Sequence, residues 1–227
     1  MLDRELPNGG WPQGALTELL VRHMGIGELR FLAPTLKALT QRGKHVVLLA
    51  PPHVPYAPAF AAMGIDPEKL IVIHAAKPVD RLWAVEQALK SEQFGALVTW
   101  LDASESNMVR PELIRRLQLA ARHTTGPVFV FRPWAAQQSP SPAPLRMLLL
   151  PRRYPGLAVQ IIKRRGPIML APIDIAIPIP GSGLPVIEDH DAIVVTPNHA
   201  VDRLRHSLPL SGTIASATSS HSSSLPH

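Results

Sequence analysis

Short, uninterrupted apolar runs alternate with amphipathic stretches through the first 132 positions, and this alternation limits the chain to very few architectures. The runs Ala15–Val21, His45–Ala50, Leu70–His74, Ala96–Leu101 and Pro127–Phe131 have the length and continuity of strands buried on both faces. Between them lie helical patterns. Ile26–Arg42 places Leu29, Leu32, Leu36 and Leu39 on one face and stops at Gly43. Pro58–Gly64 gives a short helix, Val79–Lys90 aligns Leu82, Val85 and Leu89, and Arg110–Thr124 completes the series. Parallel strands need crossover connections of this kind, so the spacing predicts an α/β fold: a doubly wound, mainly parallel sheet with helices on both faces.

From Arg132 the texture changes. PWAAQQSPSPAP, Pro133–Pro144, has no periodicity and four prolines, and reads as a loop. Leu145–Leu150 and Leu157–Arg165 follow with only PRRYPG between them, which predicts a C-terminal β-hairpin, and IDIAIP adds an edge strand. Beyond about Pro178 proline, serine and histidine take over. The expected organisation is one α/β domain over residues 1–178 and a mostly disordered tail over 179–227. The 25 prolines against 14 glycines in 227 residues agree with so much loop and tail, while 46% apolar residues suffice for a core.

The absence of cysteine excludes disulfides, thiolate metal sites and a cysteine nucleophile, and it fits a reducing cytoplasm. The opening MLDRELPNGGWPQG lacks the basic start and apolar run of a signal peptide, and no window approaches the ~20 apolar residues of a membrane span. A soluble, cytoplasmic protein with no membrane partner is expected.

The net charge of +6 is moderate, but it is unevenly spread. Arg146, Arg152, Arg153, Lys163, Arg164 and Arg165 fall in the hairpin region with no acid among them. Two readings stand side by side: a surface for DNA or an acidic protein partner, and cations that merely keep an edge strand from pairing. Trp134, in the loop before the hairpin, either stacks on a base or partner or tucks into the core; Trp11 and Trp83 read as packing residues. No metal site is expected: Glu188, Asp189, His190 and Asp191 lack ligand spacing, and His45, His53 and His74 read as partly buried histidines at strand ends. Ser104 and Ser106 follow a strand without the elbow of a nucleophile and read as helix caps.

The order of elements, with the strand ALTELLV, the turn HMGIGEL, a helix, then VVLLA, LIVIH, ALVTWL and VFVFRP, resembles the RecA-type ATPase core. GGWPQGALTELL is similar to the segment entering that family's phosphate loop, and FAAMGIDPEKLIVI to a later passage. Within the superfamily, GWPQGALTELL, GIGELRFLAPTLKAL, VFRP and GLAVQIIKRRGP most resemble the ImuA family, SulA-related proteins associated with bacterial translesion DNA synthesis. The similarity runs from about Gly9 to Pro178.

A working phosphate loop needs glycine-freed amides, a lysine and a hydroxyl. Here the turn holds Gly25 and Gly27, with Glu28 at the lysine position and Leu29 at the hydroxyl position. A carboxylate there repels a triphosphate. By the same resemblance, Pro51 or Pro52 stands where the family's water-activating acid would be. Trp100 stands where its magnesium aspartate would be, with Asp102 two residues on. The expectation is a degenerate RecA-like domain, neither an enzyme nor a nucleotide-cofactor binder. The resemblance implies a bacterial, nucleoid-associated adaptor in the SOS response. Its implied partners are an ImuB-like Y-family protein, RecA and an error-prone polymerase III α subunit, with DNA contact through Trp134 and the six hairpin cations. The alternative is a SulA-type division inhibitor binding FtsZ.

Overall fold

In the computed structural model, residues 2–75, 77–91, 94–101, 111–153, 156–167, 169–177 and 194–195 are described. The five apolar runs become β1 (Leu16–Val21), β2 (Val46–Leu49), β3 (Leu70–Ile73), β4 (Ala96–Trp100) and β5 (Val128–Pro133). The helices are α1 (Glu28–Thr40), α2 (Ala57–Ala62), α3 (Pro78–Ser91) and α4 (Pro111–Ala121). The hairpin is β6 (Leu145–Pro151) with β7 (Gly156–Lys163), and the expected edge strand is β8 (Ile173–Ala176). Val194–Val195, β9, pairs at the far edge; Pro178 and the rest of 179–227, where the sequence predicts a disordered tail, lie outside the described residues.

The sheet runs β8-β7-β6-β1-β5-β4-β2-β3-β9. Every pairing from β6 to β9 is parallel, and only β6/β7 and β7/β8 are antiparallel. The fold is therefore α/β with a mainly parallel, mixed sheet. Alternation along each strand sorts the side chains into two layers. Leu19, Leu48, Val98, Phe129, Phe131 and Met147 face α1 and α2, where Phe31, Leu32, Leu36 and Phe60 meet them. Leu16, Leu49, Leu97, Val128 and Val130 face α3 and α4, against Leu82, Val85, Leu89, Ile114 and Leu117. Trp83, expected to pack, is 62% exposed: it follows Leu82 by one position, about 100° round the helix and away from the sheet.

Helices α3 and α4 are tied on their outer side through Glu86, which accepts from Arg116 Nη2 at 2.6 Å and from Lys90 Nζ at 2.9 Å. These cations hold the Glu86 carboxyl below its ordinary range; the hydrogen bond from Lys90 is the largest influence, partial burial opposes it, and the charges of Arg116 and Lys90 add to it. A depressed carboxyl contributes stability that is complete above its unfolded value, about 4.3, and is lost as the pH falls through the folded value. Chemical denaturation across the acid range is expected to show Glu86→Gln losing less stability below about pH 4.3 than the unmodified protein. Equal losses would mean that the pairing does not persist in solution.

Candidate functional site

β1 ends at Val21 between β5 and β6, and the chain leaves the sheet there through Arg22–Gly27 into α1. Two residues of this turn, Gly25 (φ +86°) and Gly27 (φ +99°), take left-handed backbone that a side chain would strain. Their amides point inward to one acceptor. The Glu28 carboxylate accepts from the Gly25 N–H through both oxygens, at 3.0 and 3.1 Å, and from the Gly27 N–H at 3.1 Å. Glu28 is buried, 7% exposed. As the first residue of α1 it also sits where the helix dipole favours negative charge. The turn has the amide arrangement of an anion site, and an acid of the chain itself fills it. The sequence presents Glu28 only as a repelling charge, whereas the structure gives it a positive structural role. A further element closes the turn: a Cβ on Gly27 would lie 2.4 Å from Cδ1 of Ile177, the buried residue just beyond β8.

At the other two positions that the resemblance compares with catalytic groups, Pro51 or Pro52 and Trp100 carry no carboxylate. Pro51, half-buried, and Pro52, exposed, come just after β2. Trp100 is 2% exposed and stacks on Phe131 with centroids 5.4 Å apart, so its register position is filled by core packing. Asp102, Ser104, Ser106 and the Glu188–Asp191 stretch lie outside the described residues. Among the described residues no cluster could hold a metal ion, and no helix is long and apolar enough to cross a membrane. His45 and His53 are exposed rather than partly buried, His45 just before β2 and His53 four residues beyond its end; His74 is half-buried.

The six hairpin cations do not form one patch. Arg146 is a correction to the expected surface: on β6 its side chain turns under the loop, where Nε donates to Glu18 Oε2 at 2.7 Å and Nη2 to the Ala136 carbonyl at 2.6 Å. Arg132, from β5, donates to the other Glu18 oxygen at 2.9 Å, and the Ser141 hydroxyl donates to the same oxygen at 2.6 Å. Glu18 is wholly buried. This triad lies on the α3/α4 side of the sheet, but where residues 134–144, read from the sequence as loop throughout, cover the strands with a short 3-10 helix, Trp134–Gln138, and the proline-rich loop after it. Sequence reasoning missed it; the signal was an acid inside the apolar strand LTELLV, which burial obliges to find cations.

The remaining cations separate to opposite ends of β7, eight residues or about 25 Å apart. Arg152 and Arg153 are exposed at the hairpin tip, Arg152 paired with Asp174 at 2.8 Å. At the other end Lys163 donates to the Ser141 carbonyl (2.6 Å), Arg164 is held by Glu5 (2.6 Å), and Arg165 is exposed. Trp134 is half-buried against Leu20, Ala136 and Leu148, with the Arg22 guanidinium 4.6 Å above its ring. The segment between β5 and β6 is thus fastened at Trp134, Ala136 and Ser141.

Comparison of the chain with protein-family models and with curated proteins returns no match.

Proposed function

We propose that this chain is a non-catalytic adaptor in SOS-induced translesion DNA synthesis, of the ImuA kind, which docks an ImuB-like Y-family protein, RecA and an error-prone polymerase III α subunit. The observation that carries the reading is the turn after β1, where the Glu28 carboxylate takes the Gly25 and Gly27 amides that a nucleotide phosphate would need. A triphosphate there must displace a buried carboxylate and then lie beside it, which like charge opposes. The strand order also supports the reading. A central parallel strand feeding a glycine turn and a helix is the arrangement a phosphate loop is built on, which is compatible with a RecA-like domain whose binding chemistry has been replaced.

In this reading the docking surface is the end of the sheet that holds the Arg22–Trp134 pair, and the hairpin tip with Arg152 and Arg153. An aromatic ring beside guanidiniums is the residue pattern enriched where proteins meet. β7 and β8 extend the sheet well past β5, which fits an adaptor better than the shorter SulA-type division inhibitor.

Affinity capture from DNA-damaged bacterial cells is expected to recover the ImuB-like protein or RecA, and Arg152→Glu/Arg153→Glu to reduce that recovery. Filamentation of cells on overexpression, with FtsZ captured instead, would replace the adaptor by the division inhibitor. Purified protein is expected to show no DNA-stimulated ATP turnover above a tag-only control; robust turnover abolished by Glu28→Ala would overturn the non-catalytic reading.

A further inference from the structure

The amino ends of the central strands, opposite the glycine turn, open into a cleft of about 910 Å³. Its walls come from the segment before β1, from α4, from the proline-rich loop before β6 and from the residues after β7. Its charged lining residues are all arginines: Arg115 and Arg122 on the α4 side, and Arg165 beyond β7. All three are exposed, and among the described residues no carboxylate lines the cleft. Glu5, in the segment leading into it, is engaged by Arg164.

Arg115 and Arg122 are seven residues apart, which places them on one side of the helix and its end, about 10 Å apart along the axis. Trp11 stands in the wall as a fixed plane. Its ring meets Phe31 and Phe129 edge-on at 5.8 and 4.9 Å, and its Nε1 donates to Thr35 Oγ1 at 2.8 Å. Gln118 Oε1 accepts from the Leu16 N–H at 3.0 Å, which leaves its amide N–H groups as donors at the cleft wall.

We propose that this cleft binds single-stranded nucleic acid, with phosphodiesters on Arg115, Arg122 and Arg165 and an unpaired base against Trp11. Guanidiniums suit phosphate oxygens because they present paired donors in a rigid fork. Cations strung over about 10 Å of an open cleft match a polymer with a charge every few ångströms better than one compact anion. A rigid aromatic wall among them supplies the second half of a single-strand platform, since every base has a face to stack. The inference stands on the composition of the cleft and holds whether or not the adaptor reading does.

The test is fluorescence anisotropy with the purified full chain and a labelled oligothymidine. Binding is expected at low salt and should weaken as salt rises. Arg115→Glu/Arg122→Glu is expected to weaken it roughly tenfold or more and to reduce the slope of log affinity against log salt by about 1.4. Lys77→Glu, exposed after β3 at the opposite end of the sheet, should stay within about twofold, and Gln13→Arg should tighten binding by adding a fourth guanidinium. The replaced arginines are exposed, so thermal melts should match the unmodified protein; Arg115→Gln/Arg122→Gln serves if they do not. No binding at low salt, equal affinity of the charge-reversed variant, or equal binding of a duplex would overturn the proposal. Displacement of the oligonucleotide by polyglutamate at lower charge concentration than by unlabelled oligothymidine would reassign the cleft to an acidic protein segment.

Discussion

Replacing Glu18 by alanine is expected to cost about 3–5 kcal/mol and to lower the melting temperature by roughly 10 °C. The carboxylate is wholly buried between Arg132 and Arg146, whose side chains are only 7% and 8% exposed. Its removal leaves two guanidiniums under the loop with no counter-charge, and the Ser141 hydroxyl loses its acceptor. Glu18→Gln keeps the shape and loses the charge, so most of the cost should remain. The compensating variant separates the worth of the triad from the cost of breaking it. Glu18→Leu with Arg132→Met and Arg146→Met removes all three charges together and should be markedly milder than Glu18→Ala alone, because no ion is left unpaired. Thermal and urea denaturation followed by circular dichroism measure both. A Glu18→Ala protein that melts within a degree of the unmodified one would mean that the arginines reach water without their partner. The destabilisation should also vary little with salt, since a buried pair is poorly screened.

The same triad shows where a sequence stops being readable. VVLL in β2 and VFVF in β5 announce themselves as strands, because a strand covered on both faces must be apolar throughout; their order then dictates crossovers and hence a parallel sheet. Helix faces follow from periodicity in the same way, with end positions shifted by one to three residues: α1 starts at Glu28 rather than Ile26, because Glu28 is occupied in closing the turn, and α4 ends at Ala121 rather than Thr124. Sites joined across long separations are different. Arg132 and Arg146 lie 114 and 128 residues from Glu18, and no local pattern links them. The six cations of the hairpin are countable in the sequence, yet only the course of β6 and β7 decides which is buried, which are at the tip and which line the opposite cleft. Glu28 falls between these cases: its charge is legible as hostile to phosphate, but the amides it accepts from are visible only once the turn is folded.

Phe129→Ala is expected to cost about 3–5 kcal/mol, and its effect should reach the cleft as well as the core. Phe129 is completely buried near the start of β5, and its ring is one of the two that hold Trp11 edge-on. Truncation leaves a cavity beside a side chain that the surrounding sheet cannot collapse onto, since β1 and β4 flank β5 in fixed register. Trp11 then keeps Phe31 and its hydrogen bond to Thr35 but loses one of the two rings that meet it, so the plane offered to a base should lose its fixed orientation. Phe131→Ala is the matched control: its ring is equally buried but stacks on Trp100, so it should cost a similar amount of stability and leave Trp11 in place. Denaturation should therefore group the two variants together. Oligonucleotide binding, measured at a temperature where both remain folded, should separate them, with Phe129→Ala weaker and Phe131→Ala close to the unmodified protein. A Phe129→Ala cost below about 1 kcal/mol would contradict the packing around Trp11. Equal oligonucleotide affinity of the two variants would show that the indole contributes no orientation to the ligand, leaving the arginines as the whole of the cleft's chemistry.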